Sequence, residues 1–291
     1  MACLYVVGTP IGNLGEVTPR ARETLEKCDV ILAEDTRVTM KLLSALGIEG
    51  KRLISCYQHN EAGRARQIVQ KMLEEDLNVA MVTDAGTPCI SDPGWRVADA
   101  ASRAGIPVQP VSGPTAVADA LSVSGLNVES YAFFGFLPRE GRERDDAFAR
   151  IRKCGAAVAV VYESPHRVKR LVADVREALF NPRLSLSCDL TKLHELTLRG
   201  PADEVLSALE ANPNAEKGEY VLCIDLHDLP EEEEQVAGVS AQGLLLEKLF
   251  QGLRMKDAVK QVSALPGFSR NEVYKASLEV QAFLEGEKKE E

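Results

Sequence analysis

The sequence has 291 residues, 45% hydrophobic and 27% charged, with a formal net charge of −10 at pH 7; that length sets a prior of about two domains. The acidic balance argues against a chain that grips naked nucleic acid through overall positive charge, because such binding is dominated by phosphate neutralisation. No apolar run approaches the roughly 20 residues of a membrane span, the opening "MACLYVVGTP" lacks a basic signal region, and the seven cysteines are too scattered for a zinc knuckle or a redox pair, so the expectation is a cytoplasmic protein with no membrane and no metal.

In chain order, "CLYVVG" (3–8), "VILAE" (30–34), "RLISC" (52–56) and "NVAMVTD" (78–84) are short apolar runs that predict strands. Between them lie amphipathic stretches that predict helices. The first opens at Thr18 as N-cap with Pro19 in the first turn, the second closes at Gly47, and the third is "EAGRARQIVQKMLEED". This rhythm of strand and helix implies a mostly parallel sheet covered by helices. A fifth strand, "IPVQPV" (106–111), leads into a helix opening at "GPTAVADALS".

The pattern pauses at "SGLNVES" (124–130), which sets a first α/β domain at 1–124 and a second at 125–228. The second carries "YAFFGF", "AAVAVVY", "RLSLSCDL", "LTLRG" and "EYVLCIDL" as strands. Two of these follow each other too closely for a helical crossover, so this sheet is expected to be mixed. Residues 229–238, "LPEEEEQVAG", form an acidic linker, and 239–291 read as a small helical C-terminal extension.

Several strand ends carry chemistry. "VGTPIGNLG" (7–15) leaves a strand into a Gly-rich turn, where open α/β sheets bind ligands. Its Gly8, Gly12 and Gly15 nevertheless match no common phosphate motif, so a structural turn and a ligand loop stay equally open. "AEDTR" presents Glu34, Asp35 and Arg37, either to orient a substrate or as a salt-bridged strand exit. "CYQHNE" gathers Tyr57, His59, Asn60 and Glu61 in one loop, more than a turn requires.

"VTDAGTPCISDPG" (82–94) joins glycines, prolines and two carboxylates, Asp84 and Asp92, that can accept from hydroxyl or amino groups. That composition suits a neutral or cationic polar ligand better than a bare phosphate. "VYESPHR" adds Tyr162, Glu163 and Arg167, and "DLTKLHE" adds Lys192. "LPREGRERDDAFARIRK" (137–153), with Arg139, Arg142 and Arg144, and the neighbouring Arg167 are the candidates for phosphate contacts, although a charge run also serves as a plain solvated face.

Taken in order, "GTPIGNLG", "AEDTR", "HNE", "DAGTPCISDPG", "SGPTA", "GFLPR", "YESPHR", "LTK" and "KGEY" resemble the ribosomal RNA small-subunit methyltransferase I family across residues 3–226. The resemblance implies a tetrapyrrole-methylase-like (class III) methyltransferase fold, with two α/β domains forming a cleft for S-adenosylmethionine. It also implies 2′-O-methylation of a cytidine in the 16S rRNA of the small ribosomal subunit, near the decoding centre, and a homodimer. By the same resemblance Pro10, Asp84, Thr87, Thr115, Ala116, Tyr162, Glu163 and Gly218 surround the cofactor. Glu34, Asp35, Arg37, His59, Glu163 and Lys192 form the catalytic pool, with His59 or a carboxylate as base and Lys192 or Arg37 as stabilising cation. The competing readings are a methylase of the same fold acting on a tetrapyrrole or other small molecule, and a non-catalytic ribosome- or RNA-binding module.

Overall fold

A computed structural model describes residues 2–230, 240–265 and 268–287. From residue 231 onward the expected acidic linker lies outside them. The chain forms two compact units, Met1–Leu229 and Pro230–Glu291.

In the larger unit the first sheet comprises β1 (Cys3–Val7), β2 (Val30–Ala33), β3 (Arg52–Ser55), β4 (Asn78–Val82) and β5 (Val108–Val111), in the order β3-β2-β4-β1-β5. Every pairing is parallel. Helices α1 (Pro19–Lys27) and α2 (Thr36–Ala45) cover one face; α3 (Glu61–Glu75) and α4 (Trp95–Arg103) cover the other. That double cover explains the unbroken apolar strand β2. Its Val30 and Leu32 enter the core under α3 and α4, while Ile31 and Ala33 enter the core under α1 and α2. Thr18 accepts from Ala21 N–H at the head of α1, the cap its sequence predicts.

The second sheet comprises β6 (Tyr131–Phe136), β7 (Val158–Glu163), β8 (Arg183–Cys188), β9 (Leu196–Pro201) and β10 (Tyr220–Asp225), in the order β6-β7-β10-β8-β9. β6 and β7 pair parallel and the rest antiparallel, so the sheet is mixed. One face is covered by α6 (Arg142–Arg152), α7 (Val168–Ala178) and α8 (Ala202–Ala211). The other receives α5 (Ala116–Val123), whose Val117, Ala120 and Leu121 pack on Val160, Val221 and Cys223. Because α5 leaves the end of β5 and packs under the second sheet, it is the seam between the two halves.

Helices α4, α6, α7 and α8 add to the elements expected from the sequence. In α6 the charged residues dominate the pattern, and only Ala147, Phe148, Ile151 and the buried Arg144 face inward. The smaller unit holds α9 (Ala241–Phe250), α10 (Met255–Val262) and α11 (Arg270–Glu287) around Leu245, Ala258, Val262 and Val273. No helix among the described residues is long and apolar enough to cross a membrane.

The loops after β1 and β5 meet backbone to backbone. A Cβ added at Gly8 would lie 2.8 Å from Gly113 Cα, with nothing flexible to move aside. Gly8→Ala is therefore expected to cost about 1–3 kcal/mol, as overpacking does. Gly63→Ala, in the exposed first turn of α3 with nothing within 4 Å of the new methyl group, is expected to gain about 0.5–1 kcal/mol from helix propensity. Urea unfolding midpoints of the two variants check both signs.

Candidate active site

The site is built on the C-terminal ends of β1, β4 and β5, the edge where open parallel sheets take ligands. Three contacts lock the loops there. Thr9 and Gly86 exchange backbone hydrogen bonds of 2.9 and 3.1 Å, Gly8 lies against Gly113, and the Thr87 hydroxyl donates to Pro114 O at 3.4 Å. Opposite them, the antiparallel register of the second sheet sets Tyr220 beside both Glu163 and Cys188. This register brings "YES", "DLTK" and "KGEY" to one edge although they lie far apart in sequence.

Between the two edges is a cleft of about 340 Å³, within the range of small-molecule sites. Thr87, Thr115, Ala116, Tyr162 and Glu163, all predicted from the sequence, line it. Pro10, Asp84 and Gly218 do not; their neighbours Ile11, Ala85 and Glu219 do. Gly218 has φ of 88°, and a Cβ there would meet the Asp189 carboxylate at 2.6 Å, so its glycine makes room for Asp189. Ile90, Asp92, Phe136 and Glu219 complete the wall. Of these four, the sequence marks only Asp92 as a candidate ligand acceptor. All four lie inside the motifs quoted above, but Ile90 and Phe136 as apolar side chains carry no signal that separates them from core residues.

Of the catalytic pool, only Glu163 lines the cleft. It is buried; one oxygen accepts from Ser164 N–H at 2.8 Å. The other lies 3.1 Å from the Arg167 guanidinium, yet out of line for a hydrogen bond, and it is otherwise unpartnered. Lys192 flanks the cleft, paired with Asp189 at 2.7 Å and with Glu219 at 2.8 Å. Although its partial burial works the other way, these two carboxylates lift its pKa above the ordinary lysine value. Its stem lies on the first loop, since a Cβ at Gly12 would fall 2.4 Å from Lys192 Cγ.

Glu34, Asp35 and Asp84 form a chain beside the cleft. Glu34 accepts from Asp84 N–H at 3.4 Å, and Asp84 accepts from Asp35 N–H at 3.1 Å. The Arg37 guanidinium holds Asp35 down at about 2, and Arg37 itself is 83% exposed. Burial raises both Glu34 and Asp84. Burial, followed by the charges of Glu34 and Asp84, pushes Asp92 up to about 6. His59 is exposed, with its ring edge-on to Tyr57 at 6.3 Å, and does not reach the cleft wall.

The candidate phosphate contacts divide. Arg139 and Arg142 are exposed. Arg144 is buried, donating to Asp174 at 2.6 Å and to Pro138 O at 2.7 Å, and Arg167 donates to Leu137 O at 2.9 Å. These last two hold the 137–138 turn rather than a solvent-facing patch.

The family model for Tetrapyrrole (Corrin/Porphyrin) Methylases matches residues 3–206. The chain belongs to that family. Within these methylases it groups with ribosomal RNA small subunit methyltransferase I. The protein of that name from Neisseria meningitidis serogroup B is 40% identical over 94% of this chain and 92% of its own length. The one from Escherichia coli O157:H7 is 38% identical over 96% and 95%. Among solved structures, uroporphyrin-III-C-methyltransferase from Thermus thermophilus aligns with a TM-score of 0.51 at 22% identity, over 77% of this chain and 94% of its own. The methyltransferase CobJ aligns at 0.57 and 18%, over the same shares. At such identity these two carry the fold alone.

The cofactor of this methylase family is S-adenosylmethionine, and the cleft fits it. The charged side chains on its wall (Asp92, Glu163 and Glu219) are all carboxylates, and one buried oxygen of Glu163 has no hydrogen-bond donor. That charge suits a ligand bearing a sulfonium and an ammonium, while Ile11, Ile90, Phe136 and Val221 supply apolar contact.

The raised Asp92 gives a stability test with a defined sign. A carboxyl near 6 in the folded chain and near its ordinary 3.8 in the unfolded chain destabilises the fold where both are ionised, and not where both are protonated. Asp92→Asn is therefore expected to be more stable than the parent by about 1–3 kcal/mol above pH 6. The gap should close as pH falls from 6 to below 4, measured by urea unfolding across pH.

Proposed function

We propose that this methylase transfers the methyl group of S-adenosylmethionine to the ribose 2′-oxygen of a cytidine in 16S rRNA, near the decoding centre of the small ribosomal subunit. The observation that carries the reading is the pairing of an acidic cleft with a basic approach. Phe136 forms part of the cleft wall, and the exposed Arg139 and Arg142 follow it within a few residues. The cleft suits a cationic cofactor, and exposed arginines suit a polyanion. The relatives named for ribosomal RNA methylation, at about 40% identity along nearly the whole chain, favour RNA over a small-molecule acceptor.

S-adenosylmethionine supplies a methyl group made electrophilic by its sulfonium. The chain's part is to hold the acceptor oxygen in line with that methyl group and to exclude water; such alignment accounts for up to about 7–11 kcal/mol of a barrier in favourable cases. Thr87, Thr115, Ala116, Tyr162 and Glu163 would hold the cofactor, with Pro10, Asp84 and Gly218 shaping the loops behind them. Lys192 would brace Glu219 at the cleft edge and offset developing negative charge on the acceptor oxygen. Reaching a ribose inside folded RNA requires the nucleotide to be drawn out of its stack. An enzyme of net charge −10 would take its recognition from the shape of an assembled particle more than from bulk electrostatics. The same reading makes it a cytoplasmic homodimer.

Transfer of labelled methyl from S-adenosylmethionine to small subunits that lack their own modifications, beside free 16S rRNA, tests the proposal. The expected outcome is label on one cytidine 2′-oxygen, stronger on subunits than on free RNA. Cofactor binding by calorimetry without label on either RNA would make the protein a small-molecule methylase, and absence of cofactor binding would make it a binding module.

A further inference from the structure

The loop after β4 ends in constrained backbone beside the cleft. Cys89 and Ser91 hold φ of 72° and 70°, in the left-handed region that non-glycine residues rarely enter and that clusters at functional sites. Gly94 follows at φ of 132°. The far end is pinned from inside the protein: the buried Glu61, at the head of α3, accepts from Gly94 N–H at 2.9 Å and from Arg96 N–H at 2.8 Å. This arrangement satisfies the first free N–H groups of α4 with a carboxylate, the favourable sign at a helix N-terminus. It also fixes where residues 89–94 can lie.

The residue thus delivered to the cleft wall is Asp92. The other acids nearby each have a partner: Asp35 has Arg37, Glu61 the head of α4, Glu163 the Ser164 N–H on one oxygen and the Arg167 guanidinium 3.1 Å from the other, Glu34 and Asp84 loop N–H groups, and Glu219 Lys192. Among the described residues Asp92 has no hydrogen bond or ion pair. Strained backbone and a buried anchor hold a carboxylate that binds nothing in the protein.

We propose that Asp92 is the proton acceptor for the hydroxyl that is methylated. The assignment rests on the functional reading above and deepens it. The hydroxyl proton passes to the Asp92 carboxylate as the new O–C bond forms and the sulfonium S–C bond breaks. A carboxylate and a sulfonium thereby become a carboxylic acid and a neutral thioether, with the methyl ether as product, so charge and atoms balance.

The groups around Asp92 suit that task. Glu34 and Asp84 face it from the ends of β2 and β4, Tyr162 from β7 and Cys89 from its own loop, while Glu163 and Glu219 share its cleft. The cations around the site are engaged with other acids, Arg37 with Asp35, Arg167 with Glu163 and Lys192 with Asp189 and Glu219. Burial, followed by the charges of Glu34 and Asp84, makes Asp92 a stronger base than an exposed aspartate, yet one still ionised at neutral pH.

Single-turnover methyl transfer to unmodified small subunits, from about pH 5 to 9, compares the parent with Asp92→Asn and Asp92→Glu. Calorimetry of S-adenosylmethionine binding runs alongside. The parent rate is expected to rise about tenfold per pH unit up to a break near 6 and then level off. Asp92→Asn should lose about 10²-fold at the plateau together with the break, with cofactor affinity within about threefold, and Asp92→Glu should keep a break. An Asp92→Asn rate within about threefold of the parent, the same break in that variant, or a loss explained by failed cofactor binding overturns the assignment while leaving the functional reading intact. A parent that binds cofactor but labels no subunits overturns the functional reading, and the assignment with it.

Discussion

Close backbone contact between two glycines governs this site. Gly8 and Gly113 touch without side chains between them, so the loops after β1 and β5 approach as nearly as two chains can. The Thr9–Gly86 bridge then adds the loop after β4. A sheet edge carrying three such loops would ordinarily open into separate, mobile connections. Fused, they make one rigid wall, and α5 leaves that wall directly to pack beneath the second sheet. The position of each half at the cleft thus follows from contacts that depend on having no side chain.

The second feature is a separation of charge. The net charge is −10, and acid gathers at the cleft: Asp92, Glu163 and Glu219 on its wall, Glu34 and Asp84 behind it. Burial, with the like charges of neighbouring carboxylates adding to it, raises Glu34, Asp84 and Asp92 together, although loop N–H groups partly offset the rise in the first two. Buried or folded-in arginines, Arg144 and Arg167, are taken up in holding the 137–138 turn. Their neighbours Arg139 and Arg142, with Arg150 and Lys153 further along the run, are left facing solvent. A basic sequence run has therefore been divided by the fold into a structural part and an exposed part.

Much of this was legible in the chain. Both sheets, their parallel and mixed characters, and the Thr18 cap follow from local periodicity and turn chemistry, which act over a few residues and need no distant partner. The strand-end motifs are equally local, and five of the eight expected cofactor contacts lie on the cleft wall. Helix α4 buries only Val97 and Ala101, and α6 buries a paired Arg144, which weakens their signal; α7 and α8 carry a full i, i+3, i+4, i+7 apolar pattern that the sequence does offer.

The sequence by itself determined which residues stand at strand ends, because strand and loop preferences are properties of short segments. Only the tertiary structure decided which of those ends meet. Sheet order, the Tyr220 register and the Gly8–Gly113 contact set Glu219 beside Lys192, turned His59 outward and left Asp92 without a partner among acids. Charge pairing and burial depend on distances between segments remote in the chain, and no local pattern encodes those distances.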